Sequence, residues 1–114
     1  MQPDQPFRPG DRTYIIAAAA TAAASGATLM GSGLAGEVDY VIYNKGVNDA
    51  WLAYGMTSGA AIGNAVIPLI GSPSAALPCP AGTIQTFTLQ GSLFFTAIAE
   101  VGLSSISVTP GYGA

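Results

Sequence analysis

Residues Thr83–Gly111 read TIQTFTLQGSLFFTAIAEVGLSSISVTPG. Three apolar runs stand out: Ile84, Phe87 and Leu89; Leu93 to Val101; and Ile106 to Thr109. Gly91-Ser92 and Gly102 to Ser105 punctuate them. β-Branched and aromatic residues between glycine, serine and proline mark strands joined by tight turns. The stretch therefore predicts a three-stranded meander, and with it an all-β domain.

Upstream, residues 37–57 carry the same pattern. EVDYVIYN places Val38, Tyr40 and Ile42 on one face, with Asp39, Val41 and Tyr43 on the other. Gly46, Asn48 and Asp49 supply turn conformations. In AWLAYGMT, Trp51, Ala53 and Gly55 alternate with Leu52, Tyr54 and Met56. The pair predicts a hairpin with large apolar groups on both faces. One face fills the core, and the other meets a second sheet, an arm or another subunit.

Residues 58–82 are rich in glycine and proline and predict a connection, with a short edge strand at Ala65–Ile70 interrupted by Pro68. Thr13 to Ala18 opens as a strand. The alanines that follow continue it or form a short helix over Ala17–Ala24, because alanine is the best helix former. Ser25 to Gly36 is a small-residue loop in which Leu29, Met30 and Leu34 tuck inward. Six to eight short strands, with turns about every ten residues, predict an antiparallel β-sandwich or jelly roll. The chain divides into an extended N-terminal arm, residues 1–12, and one β-sandwich domain, residues 13–114.

Charge bounds the function. Nine of 114 residues are charged, 8%, against about 25% in an ordinary soluble domain. Such a chain either lies in lipid or is covered by other subunits. Residues 13–36 lack charge and are long enough to span a bilayer, yet alanine drives insertion weakly and Ser25-Gly26, Gly31, Gly33 and Gly36 interrupt the run. The aspartates and prolines ahead of the run also argue against a signal peptide. No membrane role is expected. Three dispersed cations and a net charge of −3 cannot neutralise a row of phosphates, so no nucleic-acid partner is expected.

With no histidine and a single cysteine, Cys79, a Ser-His-Asp or Cys-His device and a zinc site of several Cys or His ligands cannot be assembled from one chain. Cys79 lies between Pro78 and Pro80 and reads as a small hydrophobe. Glu37 and Asp39 share a strand face, which suits a solvated strand start better than a catalytic pair. Glu100 reads as a strand-end residue, or as a partner for Arg8 or Arg12 across an interface. Gly31 to Gly36, GSGLAG, lacks the order and the lysine of a phosphate loop. No enzymatic activity, cofactor, metal or small-molecule substrate is expected.

The candidate subunit contacts are Phe7 as apolar anchor of the arm with Arg8 beside it, Arg12, Tyr14, Trp51, Tyr54 and Tyr112. Trp51 and Tyr54 alternate on one strand, so core packing fits them better than a sugar platform. Tyr112, between Gly111 and Gly113, is exposed unless something covers it.

FRPGDRTYIIAAAATAA (7–23), VIYNKGVNDAWLAYG (41–55), ALPCPAGTIQTFTL (76–89), FFTAIAE (94–100) and ISVTPGYG (106–113) follow one another in an order that resembles the small β-sandwich virion proteins of tailed bacteriophages. The alanine-rich segment departs from that pattern. The resemblance implies a capsid decoration, or cement, protein on the virion surface. Such a protein assembles as a dimer or trimer and bridges neighbouring subunits of the major capsid protein. A tail or head-surface adhesin binding glycans, or another minor head-tail structural protein, is the alternative.

Overall fold

A computed structural model describes residues 8–10, 12–19 and 26–113. Their elements are β1 (Arg8–Pro9), β2 (Tyr14–Ala18), β3 (Thr28–Met30), β4 (Glu37–Asn44), β5 (Ala50–Gly55), α1 (Ser58–Asn64), β6 (Leu77–Cys79), β7 (Ile84–Gln90), β8 (Leu93–Ala99) and β9 (Ser104–Tyr112). Two antiparallel sheets face each other. In one, β9 pairs with β4 on one side and with β1 and β2 on the other, and β7 flanks β4. The second runs β3-β8-β5-β6. The all-β sandwich is as the sequence predicts; the described strands number nine, the extra ones being short pieces such as the two-residue β1.

Alternation selects the core. Val38, Tyr40 and Ile42 of β4 and Ile106 and Val108 of β9 are buried, as are Leu52 of β5 and Leu93, Phe95 and Ala97 of β8. Met30 is buried as well, Leu34 packs against the core, and Leu29 stays partly exposed. Tyr40 and Phe95 join the sheets with ring centroids 4.8 Å apart.

The predicted meander does not form. β7 and β9 lie in the five-stranded sheet and β8 in the four-stranded one, so the chain crosses the sandwich at each turn. A two-residue link suits a hairpin locally, but here it is held from outside. Ser92, with φ 57°, donates its N–H to Gly31 O at 3.0 Å. Gly91 passes so close to this loop that a Cβ would sit 2.5 Å from Leu34 O. The predicted hairpin at 37–57 fails likewise. β4 pairs with β7 and β9, whereas β5 pairs with β6 and β8.

Asn44 explains why the β4–β5 link is an arch. Fully buried, it donates through Nδ2 to Asn48 O (3.0 Å) and Cys79 O (2.7 Å), and accepts at Oδ1 from Gly46 N–H (3.1 Å) and Ser104 Oγ (2.6 Å). Both amide donors and both oxygen lone pairs are used. The amide thus ties the loop to the end of β6 in one sheet and the start of β9 in the other. Gly46 leaves room for the knot, since a Cβ there would overlap Ser104.

The expected strand at Ala65–Ile70 does not form: α1 precedes it, and the segment is irregular chain with a single bridge between Leu69 and Ser72. Thr57 caps the helix by accepting from Ala60 N–H at 3.1 Å. The helix covers the outer side of the four-stranded sheet, where Ala53 and Ala65 are buried against Ile98. A Cβ on Gly55 would meet Ala61 N at 2.7 Å, so glycine permits the close approach. Ala17 and Ala18 are strand, and Ala19 bridges Ile98 across to the other sheet; residues 20–24 of the expected alternative helix lie outside the described residues.

Thr96 is buried on the outer side of β8, and its hydroxyl has no hydrogen-bond partner. Thr96→Val removes this uncompensated group while keeping the side-chain shape. It is expected to stabilise the fold by about 1 kcal/mol and to raise Tm by roughly 4 °C, read by thermal unfolding.

Candidate interaction surface

The reactive groups of the described chain serve the fold. Cys79 is buried, and desolvation, partly offset by a hydrogen bond from the Leu52 backbone, pushes its pKa up from 9.0 to about 11. The thiol is therefore protonated and unreactive at neutral pH. Because ionisation is disfavoured only in the folded chain, its contribution is complete below pH 9 and falls as pH rises from 9 to 11. Alkaline unfolding followed by thiol labelling is expected to show this loss, and Cys79→Ala to flatten it.

Three of the four described carboxylates have structural partners. Asp39 Oδ1 accepts from Thr88 Oγ1 at 2.6 Å, Asp49 Oδ1 from Ala81 N at 3.0 Å, and Glu100 Oε2 from Trp51 Nε1 at 2.9 Å. Glu100 follows the last residue of β8 and so stands at a strand end. No group of three or more metal-ligating side chains occurs among the described residues. Gly31–Gly36 forms the turn that receives Ser92 and Leu34 N–H groups on Gly31 O.

The sequence-derived contact residues do not form one patch. Phe7 lies outside the described residues. Arg8 is exposed in β1 opposite Tyr112 in β9, and Arg12 is exposed just before β2. Tyr14 is half-buried and packs on the core. Tyr112 is covered by the loop before β4: its hydroxyl donates to Ala35 O at 3.1 Å and accepts from Ala35 N–H at 3.2 Å. Trp51 lies half-buried on the outer side of β5, whereas Tyr54 turns inward against Phe95, with centroids 6.0 Å apart.

Two surfaces lie largely outside those residues, Tyr54 alone belonging to one of them. One is the outer side of the five-stranded sheet. Cross-strand register sets Ile15, Ser107, Tyr43 and Ile84 in one row and Val41, Thr109 and Thr86 in the next. Ile15 and Ile84 are 56% and 67% exposed, and the charges that alternation brings to this face are Glu37 and Asp39 at one end. Only the register of five strands, two of them remote in sequence, reveals the row.

The other is a cleft of about 270 Å³ between the sheets, lined by Tyr54, Gly55, Met56, Leu89, Gln90 and Leu93. It exists because β6 pairs only with Ala50 to Leu52, leaving the end of β5 uncovered. On the opposite side of the sandwich, Ala19 bridges to Ile98 and closes the gap. Further apolar groups are exposed on loops: Val47 with Val101 and Leu103 at one end, where Asn48 Nδ2 donates to Leu103 O at 2.8 Å, and Leu69 and Ile70 after α1.

No helix among the described residues is long and apolar enough to cross a membrane. No protein-family model matches this chain, and neither a curated protein nor a solved structure shows significant similarity to it.

Proposed function

We propose that this chain is a structural virion protein of a tailed bacteriophage, a capsid decoration or cement protein that stabilises the head by bridging neighbouring major capsid subunits. It acts without catalysis, cofactor or metal, on the capsid surface and beside copies of itself. The observation that carries this reading is the exposure of apolar side chains on several sides of a sandwich with 8% charged residues: Ile15 and Ile84 on the sheet face, Val47 and Leu103 at one tip, Leu69 and Ile70 on the connection. A lone domain gains nothing from these groups. A subunit wedged among others buries them, at about 25 cal/mol per Å² of apolar area, and repeats the gain over many copies. The resemblance of its sequence blocks to small phage virion proteins points the same way.

The test compares phage particles with and without the protein. Particles lacking it are expected to release DNA at lower temperature and after milder osmotic shock, and a particle reconstruction is expected to place it between capsid subunits. Equal resistance of both particles overturns the reading.

Trp51 favours a glycan-binding module on the head or tail as the second reading. Its indole stands half-exposed beside a depression of about 80 Å³ that Asp49, Pro78 and Glu100 help to line, an aromatic surface bordered by carboxylates. Binding of the isolated protein to host-surface glycans, lost in Trp51→Ala, would support it.

A further inference from the structure

Among the described residues, β7 pairs with β4 alone, and its other edge is bare. Natural sheets blunt such edges with lysine, proline or a bulge. β7 has neither lysine nor proline: it reads IQTFTLQ, and no charge occurs between Asp49 and Glu100.

The direction of its free groups follows from Asn44. The Asn44 backbone N–H donates to Thr83 O and its C=O accepts from Gly82 N–H, so Asn44 faces β7. Alternate residues of β4 face the same way, which engages Gln85, Phe87 and Leu89. The N–H and C=O groups of Thr86 and Thr88 therefore point outward.

We propose that two copies of this chain join through their β7 strands, antiparallel about a two-fold axis at Thr88, so that the two five-stranded sheets become continuous. In this register Thr88 faces Thr88 of the partner subunit, and Thr86 faces Gln90 of the partner subunit. The outward groups of the two Thr88 residues exchange main-chain hydrogen bonds; at the flanking pairs Thr86 offers its outward groups, while the Gln90 carbonyl already accepts the Tyr40 hydroxyl at 2.7 Å. On the inner side Phe87 falls opposite Leu89 of the partner subunit, and the reverse pair repeats it. Each Phe87 thereby arrives beside the other copy's Leu89, at the wall of the cleft shared with Tyr54, Met56 and Leu93. Strand addition draws its affinity from the main chain and its specificity from pockets that take alternate side chains, and one edge here supplies both.

The self-complementary pattern selects a second copy as occupant. The nearest like charges, Asp39 and its mate, end three strand spacings apart, about 14 Å, beyond the Debye length in physiological salt. The pairing gives the self-association proposed above a definite surface. Its test uses the isolated chain, so its failure would leave the capsid reading to the particle experiment.

Sedimentation of the full chain is expected to give a dimer of twice the 11.4 kDa subunit. Thr88→Glu sets two carboxylates face to face, each beside its own Asp39 and so uncompensated, and is expected to weaken the dimer at least about tenfold. Thr88→Pro removes an outward N–H that β4 does not use and is expected to act likewise, without abolishing folding. Thr88→Cys is expected to form a disulfide with its mate under mild oxidation, because hydrogen-bonded partners have Cα atoms about 5.5 Å apart. Thr86→Cys, about 14 Å from its mate in this register, is not. A monomeric wild-type chain at about 100 µM, a Thr88→Glu dimer as tight as wild type, or equal cross-linking of both cysteine variants overturns the proposal.

Discussion

Asn44→Leu is expected to destabilise the fold by about 3–5 kcal/mol, enough to leave a domain of this size marginal. Leucine keeps asparagine's branching and heavy-atom count, so no cavity is opened; its bulkier methyl groups add overpacking to the loss of polar contacts. The substitution strands four partners at once: Gly46 N–H, the Ser104 hydroxyl and the carbonyls of Asn48 and Cys79. Each buried polar group left without a partner costs about 1–3 kcal/mol. The total falls below the sum because Asn48 O and Gly46 N–H lie near the surface, where water reaches them. Ser104→Ala, which removes one of the four bonds and leaves the amide in place, is expected to cost about 1 kcal/mol. Urea unfolding of the two variants separates the cases. A loss near 1 kcal/mol for Asn44→Leu would mean that the loop does not depend on the amide.

Phe95→Ala is expected to cost about 3–5 kcal/mol. Phe95 is fully buried in the middle of the sandwich, its ring 4.8 Å from Tyr40 in the opposite sheet and 6.0 Å from Tyr54 in its own. Both neighbours are held. Tyr40 donates its hydroxyl to Gln90 O at 2.7 Å, and the Tyr54 backbone carbonyl accepts from Asn64 Nδ2 at 3.0 Å. The Tyr40 ring, tied by its hydroxyl, and the Tyr54 backbone are not free to collapse into the space, so a cavity remains and its cost adds to the lost apolar burial. Phe95→Leu refills most of the volume and is expected to cost about 1–1.5 kcal/mol. Thermal unfolding checks both: the alanine variant melts far below the leucine variant if the two sheets are locked at this contact.

The two substitutions probe different parts of what could be read in advance. Phe95 was legible. Period-two alternation in LFFTAIA puts Leu93, Phe95 and Ala97 on one side, and that side is the core. The same holds for Val38, Tyr40 and Ile42. Asn44 closes the run EVDYVIYN and nothing beside it marks more than a strand end, because its two buried bonds reach Cys79 and Ser104, 35 and 60 positions away. α1 was missed for a related reason. SGAAIGN has weak helical propensity, and Thr57 is a cap only if a helix follows; the flat surface of Ala53 and Gly55 is what the helix packs on. Of the contact residues, Tyr112 could not be judged from its glycine neighbours, since its cover is the loop at Ala35.

Alternation, scarce charge and the glycine and proline spacing by themselves determined that this chain is a β-sandwich and grouped Val38, Tyr40 and Ile42 on one face, without saying which face turns inward. They did so because strand pitch and side-chain hydrophobicity act over a few residues. Only the tertiary structure decided which strands are neighbours. Hairpin and arch use the same turn residues, and the choice between them was made by the Asn44 amide and by Gly31 O receiving Ser92 N–H. That choice places β7 at an edge and opens the cleft beside it, so the surface most suited to a partner arises from contacts distant in sequence.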